Sequence, residues 1–171
     1  MKRVFVDETG AATNMARRYG RRRRGQRLRC GVPHGHSKAI TFVCGLRLSG
    51  VVAPTAYDRA MNGETFEAWL EQHLLPTLEE GDIVALDNLS VHKTPRVAEI
   101  LARKNCTVRY LPPYSPDFNP IEKAYSKLKA ILGKLAERTV AGIIAILEGC
   151  ALLFKPKECE NCFQACGCDS T

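Results

Sequence analysis

Residues 82–93 read DIVALDNLSVHK. The run from Ile83 to Leu86 is short and continuously apolar, the pattern of a strand buried on both faces within a parallel sheet, and it stops at Asp87. Working downstream, Thr94-Pro95 has the chemistry of an N-cap followed by proline in the first helical position. Val97, Ile100 and Leu101 then form an apolar stripe, and Arg103, Lys104 and Asn105 suit a helix end. A strand at 106–111 (CTVRYL) follows, and the proline-rich loop PPYSPDFNP at 112–120 leads into a helix with Ile121, Tyr125, Leu128 and Leu132 on one side. Thr139 can cap a further apolar helix. Upstream, Phe66, Trp69, Leu70, His73 and Leu74 share a helical stripe, which makes His73 a packed helix residue. In residues 39–48, Ile40, Phe42, Cys44, Leu46 and Leu48 alternate with the other face; Ser49-Gly50 is turn chemistry, and residues 51–57 return as an antiparallel partner. Residues 3–6 (RVFV) read as a short buried strand ending at Asp7, and the basic stretch up to Gly35 as loop or exposed hairpin. The order β, ββ, α, β, α, β, α predicts an α/β three-layer sandwich, with helices flanking a mixed five-stranded sheet.

The chain has 171 residues, the size of one ordinary domain, and its 45% apolar and 25% charged content excludes a disordered or low-complexity chain. No apolar run reaches the roughly 18 residues of a membrane span, and no signal peptide opens the sequence, so no membrane association and a cytoplasmic location are expected. Charge is unevenly placed. Residues 1–29 carry ten Lys and Arg against two acids, whereas residues 30–171 carry fifteen against sixteen. A local cluster of this kind draws polyanions, nucleic acid being the commonest soluble one. Four of the eight cysteines fall in CENCFQACGC at 159–168, and without a secretory signal they are expected to be reduced.

Asp7 and Asp87 each follow directly on an apolar strand. If those strands are parallel neighbours, the two carboxylates emerge side by side at the sheet edge where open α/β folds bind ligands. Paired carboxylates repel unless a cation sits between them, and oxygen-only donors favour magnesium or manganese over zinc. Glu122 stands 35 positions after Asp87, an interval that accommodates a helix, a strand and a loop returning to the same edge. The competing reading of Glu122 is a capping-box acid, with Asn119 as N-cap and Pro120 in the first helical position.

The stretches VFVDETG (4–10), DIVALDNLSVHK (82–93) and LPPYSPDFNPIEKAYSKLK (111–129), in this order and spacing, resemble the catalytic domain of mariner-superfamily transposases, in the branch found in bacterial insertion sequences. The resemblance implies a ribonuclease-H-like fold and a triad of Asp7, Asp87 and Glu122 that holds two Mg²⁺ or Mn²⁺ ions. It further implies metal-dependent cleavage and joining of DNA at one site: two ions offset the charge that shields a phosphodiester and steady its departing oxygen. Asn88 and His92 fall in the family's DN…H stretch and are expected to orient the second aspartate or touch the phosphate. Arg17, Arg18, Arg21, Arg22, Arg23, Arg24, Lys93, Lys123, Lys127 and Lys129 become candidates for phosphate contacts, which position DNA without reading its sequence.

Two departures from the family pattern stand out. The whole chain, 1–171, reads as a single catalytic domain, with nothing corresponding to the N-terminal helix-turn-helix that binds element ends. Because transposition brings two ends into one complex, the resemblance implies a homodimer or association with a separate end-binding chain. The tail at 155–171 is rich in cysteine where the family commonly has tyrosines at 162 and 168. Cys159, Cys162, Cys166 and Cys168 form a weak zinc pattern, and Cys30, His34, His36 and Cys44 a weaker one. The alternatives to a working transposase are an inactive or repurposed fragment that binds DNA or assembles with the full protein, and a hydrolytic nuclease acting on RNA–DNA hybrids or junctions.

Overall fold

The computed structural model describes residues 2–17, 20–27, 29, 31 and 37–168. Strands β1 (Arg3–Ala12), β2 (Ala39–Arg47), β3 (Gly50–Tyr57), β4 (Ile83–Leu86) and β5 (Thr107–Tyr110) form one sheet in the order β3-β2-β1-β4-β5. β1, β2 and β3 pair antiparallel, whereas β4 and β5 run parallel to β1, so the sheet is mixed as the element order requires. On one face lie α1 (Gly63–Trp69), a π-helical turn (Leu70–Leu74), its last turn α2 (Leu75–Thr77), and α3 (Pro95–Ala102). Helices α4 (Pro120–Leu135), α5 (Val140–Glu148) and α6 (Pro156–Gln164) cover the other.

Strand alternation sorts side chains between two cores. Ile40, Phe42, Cys44 and Leu46 of β2 point to the α4–α6 side with Phe5, Tyr125, Leu128 and Phe163; Val4, Val6, Val84 and Leu86 point to the α1–α3 side with Phe66, Trp69, Leu74 and Ile100. Trp69 is fully buried, and its indole N–H is shared between the Ala53 carbonyl and Thr55 Oγ1 of β3, each at 3.1 Å. Thr94 and Thr139 cap α3 and α5, their hydroxyls accepting the N–H groups of Val97 and Gly142.

Two local expectations are corrected. His73 is exposed, not packed. Pro76 has no N–H to give the Gln72 carbonyl, the helix before it widens into a π turn, and the buried face passes instead through Leu70, Leu74 and Leu78. β1 does not stop at Asp7. It continues to Ala12 because residues 39–43 of β2 supply a ladder for residues 8–12. β4, in contrast, ends at Leu86, so β1 beyond its middle has no partner on that side. The resulting crevice lies at the C-terminal end of β4, beside Asp7 and Asp87.

Candidate active site

The parallel register pairs Phe5 with Ala85, and Asp7 and Asp87 each stand two residues further on, so they lie level across the crevice. Both Asp7 oxygens are held. Oδ1 accepts the Glu8 backbone N–H, and Oδ2 accepts the Asn119 side-chain N–H, each at 2.7 Å. Asn119 occupies the N-cap position of α4 yet makes no side-chain capping bond, so the capping box expected with Glu122 does not form. Its amide is buried and diverted to β1, with Oδ1 left unpartnered. The Asp7 backbone is fixed as well: the Tyr125 hydroxyl of α4 donates to its carbonyl, and Cys44 Sγ contacts that hydroxyl at 3.6 Å.

Asp87 is gripped from its own loop. Oδ1 accepts the Leu89 N–H at 3.1 Å and lies 2.5 Å from His92 Nδ1. The other ring nitrogen, Nε2, meets Glu8 Oε1 at 3.3 Å, and the imidazole packs against Phe66 with ring centroids 4.1 Å apart. Tyr110 fixes the loop from β5, its hydroxyl donating to the His92 carbonyl at 3.0 Å. His92 therefore bridges Glu8 of β1 and Asp87 just past the end of the adjacent strand β4.

Burial raises the Asp7 carboxyl to a pKa of about 7; the Glu8 N–H works against that rise, and the charges of Glu122 and Asp87 add to it. For Asp87 burial also pulls upward, but the His92 and Leu89 hydrogen bonds and the nearby positive charge outweigh it and leave the carboxyl below its ordinary value. Burial alone would depress His92, yet hydrogen bonds to Asp87 and Glu8 lift it to about 9, so it is an imidazolium at neutral pH.

Asp7, Asp87 and Glu122 line one cavity of about 370 Å³, together with Asn88 and Asn119; residues 111–116 form its outer wall. The trio faces a common space without converging on a point, and among the described residues no three His, Cys, Asp or Glu side chains gather at metal-ligating distance. Oxygen-only donors around an acid whose pKa is raised partly by its neighbours' charges form a donor set that suits a hard divalent cation.

Residues 2–141 match the family described as DDE superfamily endonuclease. The chain belongs to this family. No curated protein sequence matches this DDE endonuclease domain. Among solved structures, the mariner Mos1 paired-end complex with Mn is similar over 95% of the chain and 51% of its own, with a TM-score of 0.73 and 17% identity. A pre-cleavage Mos1 transpososome gives 0.69 and 16% over 96% of the chain and 56% of its own. The isolated catalytic domain of Mos1 mariner transposase gives 0.61 and 15% over 96% and 82%. These likenesses establish the ribonuclease-H-like fold, and the domain spans about half the length of the Mos1 chains in those complexes.

The expected basic residues fare differently. Lys123 is exposed beside Glu122, and Lys93 is exposed with Nζ 5.6 Å from the Tyr110 ring. Lys127 is not free for phosphate. Its ammonium donates to the Leu153 carbonyl and Glu158 Oε1 at 2.6 and 2.7 Å and lies over Phe154, because α6 folds back on α4. Arg17 and Lys129 line a second cavity of about 560 Å³ with Lys134 and Gly133, apart from the carboxylates. Arg21, Arg22, Arg23 and Arg24 are exposed on irregular chain, whereas Arg18 lies outside the described residues.

Neither zinc pattern is supported. Cys30, His34 and His36 lie outside the described residues, and Cys44 is a core residue. Cys159 and Cys166 are buried, Cys159 because α6 turns it into the α4–α6 core as an apolar group and Cys166 in the turn that follows α6. Sequence reasoning missed Glu8 and the tie from Tyr125, and gave Asn119 only a capping role. An acid ending an otherwise apolar strand face at Val4 and Val6 was the available signal for Glu8.

No helix among the described residues is long and apolar enough to cross a membrane.

Proposed function

We propose that this chain is the catalytic domain of a DDE transposase of the bacterial insertion-sequence branch, a cytoplasmic enzyme that cleaves DNA and joins it to a target. The observation that carries the reading is that Asp7, Asp87 and Glu122, drawn from two parallel strands and the first turn of α4, line a single cavity. These three would hold two Mg²⁺ or Mn²⁺ ions, which when bound supply positive charge to the phosphate and the departing oxygen. The chain's own groups do the positioning. Asn119 and the Glu8 N–H fix Asp7, and the His92 imidazolium with the Leu89 N–H turns Asp87, leaving its second oxygen without a hydrogen-bond partner among the described residues. Asn88, on the cavity wall, offers an amide to a phosphate oxygen. The described domain is a single unit, and recognition of element ends is assigned to a further segment or a second chain, within a homodimer or a mixed assembly.

The test is nicking and strand joining on supercoiled DNA with Mg²⁺ or Mn²⁺, comparing wild type with Asp87→Asn. Activity that needs both the metal and Asp87, with a loss of at least about 10³-fold in the variant, is expected. A folded wild-type protein no more active than the variant, even when supplied with an end-binding chain, would overturn the reading.

A further inference from the structure

Five of the eight exposed large apolar side chains among the described residues fall in two short segments at the C-terminal ends of β4 and β5: Leu89, Val91, Tyr110, Tyr114 and Phe118. Tyr114 is the extreme case. Its side chain is fully exposed, at 103% of the reference value, while the residue lines the carboxylate cavity; it therefore stands at the mouth. Its backbone is left-handed, with φ of 55°, a conformation that costs a bulky L-residue about 1 kcal/mol or more. Burial does not compensate, since the ring packs under nothing.

The loop that carries the ring is stiff. Pro112 and Pro113 precede Tyr114 and Pro116 follows it; the Ser115 hydroxyl closes on the Pro113 carbonyl at 3.2 Å, and a 3₁₀ turn runs into α4. A strained, braced and exposed aromatic at the edge of a site is the arrangement by which a ring is presented to a ligand. The chemistry around it narrows the ligand. Leu89 is apolar on the same cavity wall, and outside the lining Lys93, on the loop after Asp87, stands by the Tyr110 ring at the end of β5, so the two segments that border the cavity carry aromatic, apolar and cationic groups. Nucleic-acid strands with unstacked bases are bound by this combination, the cations tracking the backbone and the rings taking the bases.

We propose that Tyr114 is a stacking platform for an unpaired base adjacent to the phosphate held in the carboxylate cavity. The assignment rests on the reading of that cavity as the DNA-processing site. It goes beyond it in saying that the enzyme engages a frayed or single-stranded DNA segment there, with selectivity for the presence of a base rather than its identity.

The probe is a duplex with a three-nucleotide 3′ overhang, set against the same duplex with abasic overhang sugars and against a blunt duplex. Binding is measured by anisotropy for wild type, Tyr114→Ala and Tyr114→Phe, each first shown by circular dichroism and its melting temperature to be folded. Wild type is expected to bind the base-bearing overhang about tenfold tighter than the abasic one. Tyr114→Ala is expected to erase that difference while leaving abasic binding unchanged, and Tyr114→Phe to keep it. Equal loss by Tyr114→Ala on both overhangs would reduce the ring to a loop support and overturn the proposal. So would base discrimination that persists in Tyr114→Ala, which would leave the ring for a protein partner. If wild type binds none of the three DNAs, the reading of the cavity falls, and the stacking platform with it.

Discussion

Because burial and the neighbouring carboxylates raise Asp7 to a pKa of about 7, the ionised side chain opposes folding at pH 8. Between about pH 3.8 and 7 the native state holds a proton that the unfolded chain has released, so this contribution to stability falls as pH rises through that window. His92 acts in the same sense over a later one: its raised pKa of about 9 stabilises fully below about 6.5, and the benefit is lost as pH climbs to 9. Asp87, held below its ordinary value, works oppositely and weakens the fold only as pH falls below about 4. Asp7→Asn is therefore expected to be more stable than wild type at pH 8, by about 1–3 kcal/mol, with the gain shrinking toward pH 4. Mn²⁺ should raise the melting temperature of wild type and leave that of Asp7→Asn nearly unchanged. Melts at pH 5 and 8, with and without the ion, check both statements; a variant less stable than wild type at pH 8 would remove the argument. Of these couplings, the tie of His92 to Asp87 was expected from the family's DN…H stretch, whereas those of Glu8 and Asn119 were not legible in the sequence. Glu8 meets His92 across 84 positions and Asn119 meets Asp7 across 112, and residue spacing carries no signal for such pairs.

Helix α4 does two jobs along its length: its first turn delivers Glu122 and Asn119 to the cavity, and its middle anchors α6 through Lys127. The second job removes a charge that composition alone counts as available. Lys127→Met, which keeps the aliphatic stem, is expected to lower the melting temperature by about 2–4 °C by loosening α6, and to leave the salt dependence of DNA binding unchanged. A flattened salt dependence with unchanged stability would return Lys127 to the phosphate contacts. At this scale the sequence was informative wherever the cause is local. The alternation of β2, the Thr94-Pro95 start of α3 and the Thr139 cap of α5 were all readable, because each depends on residues within one or two turns. The π turn and the continuation of β1 were not, since one needs a shift in helical register at Pro76 and the other a distant partner strand.

Across the whole molecule the excess of positive charge lies in residues 1–29, whereas the acids of the cavity come from the middle of β1, the loop after β4 and the first turn of α4, so attraction to DNA and chemistry on it are assigned to different parts of the chain. Changing Arg21, Arg22, Arg23 and Arg24 together to Ala is expected to weaken binding about equally for unrelated DNA sequences, and to reduce the slope of log K against log salt by about 2–4. An unchanged slope would place the phosphate contacts elsewhere. The layer order and mixed sheet were legible because the apolar runs and turns fix them; the cavity was legible through the pairing of Asp7 and Asp87 and the return of Glu122 to the same edge, whereas the part of residues 111–116 as its outer wall was not. The sheet that joins these parts also separates two cores, and the chain's single indole, Trp69, lies in one of them. Its emission is consequently a one-sided optical reporter. It follows the detachment of α1 from β3 and is blind to α4, α5 and α6, where Tyr125 sits against Phe42. With the other four tyrosines, Tyr57 of the Trp69 core among them, changed to Phe, a lag between the tryptophan and Tyr125 signals during unfolding would measure how tightly the sheet couples its two faces.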